Sequence, residues 1–191
     1  VYKRQILANI PDNKYMTTIE FSNTLKLKPV EDLAIDVIRT VLSNRYQEII
    51  REDEGGAYGV NVGAAYENYP RPAQNIVINF QSNTEKGDRM RAIVHEQIDK
   101  LVAEGVSEED VEDMVLMMKK GRVGVLENRG NAHWQDALRL YAETGKNIDS
   151  PELFENPIKK LNAKIVQDDF HARFMVKRKE YVYILNMGEY D

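Results

Sequence analysis

The sequence predicts an α+β fold: an antiparallel sheet with its helices packed on one face. Three observations lead there. Tyr15–Asn23 (YMTTIEFSN) alternates Tyr15, Thr17, Ile19 and Phe21 against Met16, Thr18, Glu20 and Ser22, the period of a half-buried strand. Two further alternating stretches, joined by a short turn, read as an antiparallel hairpin. Several helical stretches then follow one another before the final strand.

Each element has its own local signal. Val1–Ala8 is mixed, either a short strand or a lead-in, and Pro11-Asp12-Asn13 is a turn. Pro29 suits a helix start, with Glu31 and Asp32 in the favourable first turn. Leu33, Val37, Ile38, Val41, Leu42, Tyr46 and Ile49 then recur at helical spacing as far as about Arg51. So wide an apolar face predicts packing against a sheet. Gly55-Gly56 mark its end. Ala57–Tyr66 is a strand, Glu67–Pro72 a turn, and Ala73–Gln81 a second strand with Ile76, Ile78 and Phe80 inward.

Asn83 or Thr84 is the expected cap of a helix through Met90, Ile93, Val94, Ile98, Leu101 and Val102, closed by Gly105. Ser107-Glu108-Glu109-Asp110 resembles a capping box, with Asp in the usual Glu place, before Val111, Met114, Val115 and Met118. Gly121 and Gly124 weaken the later part of that helix. Asn131–Thr144, closed by Gly145, is a third helix carrying Trp134, Leu138 and Tyr141. Ser150-Pro151-Glu152 starts a short fourth, and Gln167-Asp168-Asp169 a fifth with Phe170, Phe174 and Met175. Tyr181–Asn186 is a final strand.

A chain of 191 residues is long enough to bury a substantial core, and one domain is expected, with residues 107–178 as a possible helical subdomain. A net charge of -5 gives no electrostatic case for nucleic acid. No apolar run approaches the roughly 20 residues of a membrane span. With no cysteine, disulfides and thiolate metal sites are excluded. The start at Val1, without an initiator Met or a targeting pattern, reads as the edge of an excised segment.

The candidate chemistry is sparse. His95-Glu96 opens like the H-E-x-x-H zinc helix, but Asp99 stands in the last place. The inverted H-x-x-E-H pattern fails at His133, where Asp136 and Ala137 fill the final positions. The three histidines read as chance surface residues. Gly55, Gly56 and Gly59 follow a helix and precede a strand, the reverse of phosphate-cradling motifs, and Glu52, Asp53 and Glu54 would repel phosphate. Met114, Met117 and Met118 are most simply core filling.

What remains is the joint between the first helix and the next strand. It sets Arg51 and Tyr58 seven residues apart, and both groups stabilise developing negative charge. The bland alternative pairs Arg51 with nearby acids and leaves Tyr58 as a core residue at a strand end. Tight turning at the glycines would instead let the two side chains converge at a sheet edge.

This joint, Arg51-Glu-Asp-Glu-Gly-Gly-Ala-Tyr58-Gly-Val, resembles the C-terminal half of the pitrilysin/insulinase (M16) zinc metalloproteases. The order of a strand, the helix VEDLAIDVIRTVLSNRYQEIIRE, the tyrosine strand, the strand NIVINFQS and the helix GVSEEDVEDM is also similar to that family. The likeness covers nearly the whole chain, more weakly after about residue 125.

The resemblance implies a metallohydrolase-like α+β domain spanning residues 1–191, excised from a longer multi-domain protease. It implies a substrate-binding, chamber-closing role beside a zinc-bearing M16 half, which supplies the H-x-x-E-H site from the same polypeptide or as a partner subunit. Zinc would belong to that absent domain and no cofactor to this chain. Arg51 would hold a backbone carbonyl of the peptide substrate, and the Tyr58 hydroxyl would donate to the oxyanion. Gly55 and Gly56 would let the substrate backbone approach. The chain would be inert alone. A periplasmic or envelope home and a cytoplasmic one are both compatible with the family. The rival reading is a catalytically inactive M16-like scaffold or assembly subunit, and a weaker third is a stand-alone ligand-binding domain.

Overall fold

A computed structural model describes residues 2–9, 14–26, 28–53, 59–67, 71–83, 85–176 and 179–188. Among the described residues five strands form one sheet: β1 (Tyr2–Asn9), β2 (Lys14–Asn23), β3 (Val60–Glu67), β4 (Ala73–Asn83) and β5 (Lys179–Gly188), in the order β1-β5-β2-β4-β3. The β2–β4, β2–β5 and β3–β4 pairs are antiparallel, and Ile19 of central β2 faces Ile78 on one side and Val182 on the other. The first strand is real, and it adds in parallel along β5, with Tyr2 opposite Tyr181. The antiparallel sheet therefore carries one parallel edge.

The helices are α1 (Pro29–Asp53), α2 (Gly87–Glu104), α3 (Glu108–Glu127), α4 (Asn131–Thr144), the short α5 (Glu155–Ile158) and α6 (Ala163–His171), which continues as a π-helical turn through Val176. The strands alternate as expected: Ile19 and Phe21 of β2, and Ile76, Ile78 and Phe80 of β4, are buried on one face. Against that face lie Ile38, Leu42 and Tyr46 of α1, Met90, Ile93 and Ile98 of α2, and Phe170 and Phe174 after them. Phe21 and Phe174 meet at 5.1 Å, and Phe170 and Phe174 at 4.3 Å. One core thus joins the sheet to helices on one side. The Tyr46 hydroxyl, deep in it, donates to Val94 O at 3.2 Å and ties α1 to α2.

Several boundaries follow from side-chain capping. At Ser107 the capping box is complete: Ser107 Oγ accepts from Asp110 N at 3.0 Å, and Asp110 Oδ2 accepts from Ser107 N at 3.4 Å. Gly145 ends α4 in the left-handed region, at φ 71°, with its N–H on Tyr141 O.

Other expectations need correction. Asn83 does not cap α2: its Oδ1 accepts from Lys86 N at 2.9 Å, closing the turn before a helix that starts at Gly87. Thr84 lies outside the described residues, as does Pro11-Asp12-Asn13. The last α-helix starts at Ala163, four residues before Gln167, because Asn162 Oδ1 accepts from Ile165 N at 2.9 Å. Near Ser150 there are only turns, and α5 begins at Glu155. Finally, α3 runs through Gly121 and Gly124 without a break to Glu127.

Candidate functional site

Helix α1 is 25 residues long, and it packs across β3 on the core face of the sheet. The two run in opposite senses. Tyr66, near the end of β3, donates its hydroxyl to Asp32 Oδ2 in the first turn of α1, at 2.6 Å. At the other end only residues 54–59 separate Asp53 from Val60. The last turn of α1, which contains Arg51, therefore stands over the start of β3. Arg51 falls within the last turn of the helix, but its side chain lies outside what the structure describes. Gly55, Gly56 and Tyr58 also lie outside the described residues, as does Ala57, the expected start of the strand. The described strand begins at Val60.

Among the described strands β3 is the sheet edge opposite β1, so one side of its backbone has no strand beside it. Such an edge is where an extended peptide can add by main-chain hydrogen bonds. At the starting end of β3 the sheet also opens into a cavity of about 440 Å³, lined by Lys14, Met16, Gly59, Asn79, Phe80, Gln81 and Ser82. Register explains the grouping. Val60 faces Phe80 and Met16 faces Gln81, so the starts of β2 and β3 meet the end of β4. Asn79 is held there by the Thr18 hydroxyl, 2.7 Å from its Oδ1.

Sequence reasoning missed this cavity. Alternation assigns Met16, Asn79 and Gln81 to the outer face of their strands, but only the pairing register brings them to one end.

The groups with displaced titration lie elsewhere. Burial pushes the Asp32 carboxyl up to about 6, against the lowering effect of the Tyr66 hydrogen bond, and burial raises Tyr66 as well. Asp32 precedes Arg51 by nineteen helical residues, about 28 Å along the axis, so this pair braces the far end of α1. Asp169 is raised by burial and opposed by its ion pair with Arg173, a residue 3% exposed. Burial also raises the Tyr46 phenol.

The histidines sit on three different helices. On α2, His95 Nε2 is 3.4 Å from Glu180 Oε1; on α4, His133 is buried with its ring edge against Trp134; and His171 ends α6. The burial of His133 departs from the expected surface position. Among the described residues no group of three or more His, Cys, Asp or Glu is arranged to hold a metal ion, and no described helix is long and apolar enough to cross a membrane.

The family described as "Peptidase M16 inactive domain" matches residues 4–118. No curated protein matches by sequence. Among solved structures, the periplasmic protease PqqL from Escherichia coli superposes with a TM-score of 0.78 at 14% identity, covering 97% of this chain and 21% of that one. The ferredoxin protease FusC, in complex with Arabidopsis ferredoxin, gives 0.75 at 13% identity, with 98% and 20% covered. A peptidase M16 inactive domain from Pseudomonas fluorescens gives 0.67 at 16% identity, with 100% and 44% covered. At such identities the likeness is one of fold. The chain spans about a fifth of the first two proteins and less than half of the third. With more than half its residues matched by the family's sequence model and the same fold throughout these neighbours, the chain belongs to the peptidase M16 inactive-domain family.

Proposed function

We propose that this chain is the substrate-binding, chamber-closing domain of a pitrilysin-like zinc metalloendopeptidase, a single domain over residues 1–191 of a longer multi-domain protein. The observation that carries the reading is what flanks the α1–β3 joint: α1 ends at Asp53, and Gly59, just ahead of edge strand β3, lines an open cavity, in a member of a peptidase domain family. An extended peptide added along β3 would run past this joint. Arg51 then holds a substrate backbone carbonyl by charge-assisted hydrogen bonding, and Tyr58 donates its hydroxyl to the oxyanion that develops at the scissile carbonyl. Gly55 and Gly56 give the substrate backbone room to approach.

Among the described residues no side-chain cluster fits zinc. The chain has no cysteine, and its three histidines are spread over α2, α4 and α6. The metal is therefore assigned to a zinc-bearing M16 half, in the same polypeptide or in a partner subunit. Alone, this chain binds peptide and does not hydrolyse it.

The test is Tyr58→Phe in the enzyme reassembled with its zinc-bearing half. Loss of one oxyanion donor lowers kcat well over tenfold and leaves the unfolding midpoint where it was. Unchanged turnover overturns the assigned role and leaves the scaffold reading.

A further inference from the structure

Along α3, packing against the core that joins sheet and helices ends near Met118. From Lys119 to Lys146 the chain runs out along the second half of α3, turns, and returns along α4, and nearly every residue is exposed. Only His133 is buried in this stretch, with Arg122, Ala137 and Leu140 half-buried. Helix α4 touches the other described elements only sparsely. Its 14 residues are near the length at which an isolated helix is marginal in water.

A solvated arm would be polar all round. This one is not. Trp134, Leu138 and Tyr141 recur at positions i, i+4 and i+7, on one face of α4, and they are 52%, 71% and 65% exposed. On the neighbouring helix Leu116 and Val123, seven residues apart, are 52% and 54% exposed. Scattered surface apolar residues need no explanation, but a stripe with an aromatic at each end, on a helix with little else to pack against, does.

We infer that this arm is a docking element, and that the Trp134–Leu138–Tyr141 stripe seats an apolar helix or groove of a further domain of the same polypeptide. Two observations select that occupant. First, the solved neighbours contain this fold as 20–44% of their chains, so in each a larger mass of protein accompanies it. Second, the flanks of the stripe are of mixed charge: Arg139 pairs with Asp136 at 3.3 Å, and Glu143 follows. An interfacial membrane helix needs a basic flank instead. The inference rests on the proposed membership in a longer protein and names the surface that joins this domain to the rest.

The test uses the natural full-length polypeptide, with a photo-crosslinking p-benzoylphenylalanine in place of Leu138. Irradiation followed by mass spectrometry is expected to find the crosslink within the same polypeptide, on apolar residues of another domain. A crosslink to a second copy, or to a separate protein, overturns the choice of occupant. No crosslink overturns the docking element itself. In parallel, Leu138→Glu is expected to lower the unfolding midpoint of the full-length protein by several degrees, with Gln135→Glu on the same helix neutral. Equal effects of the two substitutions overturn the inference. Failure here is separable from failure of the proposed function, because peptide hydrolysis by the Tyr58→Phe enzyme reads the α1–β3 joint and not the arm.

Discussion

Asp32→Asn should make the protein more stable at neutral pH and leave it unchanged in mild acid. Asp32 sits half-buried in the first turn of α1, accepting from Tyr66, with Asp36 adding like charge and Arg173 opposing it. Its carboxyl titrates near 6 in the fold and near 3.8 in the unfolded chain. Between those values the folded state holds the extra proton, so stability falls as pH rises. The favourable contribution of the neutral carboxyl is complete below about 3.8 and lost as pH passes about 6. Taken at face value the gap amounts to about 3 kcal/mol. Solvent screening at a half-exposed site, and the favourable effect of a carboxylate at a helix start, reduce the net gain from Asp32→Asn to about 1–2 kcal/mol at pH 7.5. An Asn Oδ1 still accepts from Tyr66, so the hydrogen bond survives. Urea unfolding of both proteins at pH 4 and 7.5 gives the difference, and groups common to both cancel. A gain that is the same at both pH values, or a loss at pH 7.5, refutes the reasoning.

Other substitutions test the packing. Ser107→Ala removes the N-terminal half of the α3 capping box and should cost about 1 kcal/mol in urea unfolding. Asp169→Asn strands the Arg173 guanidinium at 3% exposure and should cost about 3–5 kcal/mol, whereas converting both residues to Leu recovers most of the loss. Gly105 and Gly145 both have positive φ, but a Cβ at Gly105 meets Gln167 Oε1, and one at Gly145 meets nothing within 4 Å. Thermal unfolding should therefore show Gly105→Ala to be the costlier change, with Gly145→Ala near 1 kcal/mol.

The helix and the strand that flank the candidate site are legible from periodicity. The proposed pairing of Arg51 with Tyr58 comes from the resemblance, because a spacing of seven does not say where two side chains meet. The cavity at Lys14, Asn79 and Gln81 is not legible at all, since the three residues come from two strands brought together by register. The start of α6 is easily misread because acids at 168–169 imitate a first turn, while the single side chain that caps the helix is Asn162.

Residue order suffices for whatever depends on neighbours within about four residues: strand alternation, the apolar face of α1, the Ser107 capping box and the left-handed stop at Gly145. Those contacts are closed by the local backbone, so residue type and spacing carry them. The strand order, the parallel seam between β1 and β5, and the position of β3 at an edge are settled only by tertiary packing. So is the outward facing of the apolar stripe on α4, because helical period defines a face and not what lies opposite it. Tyr2 and Tyr181 pair across almost the whole chain, and such long closures are set by the sum of core burial, not by any one local pattern.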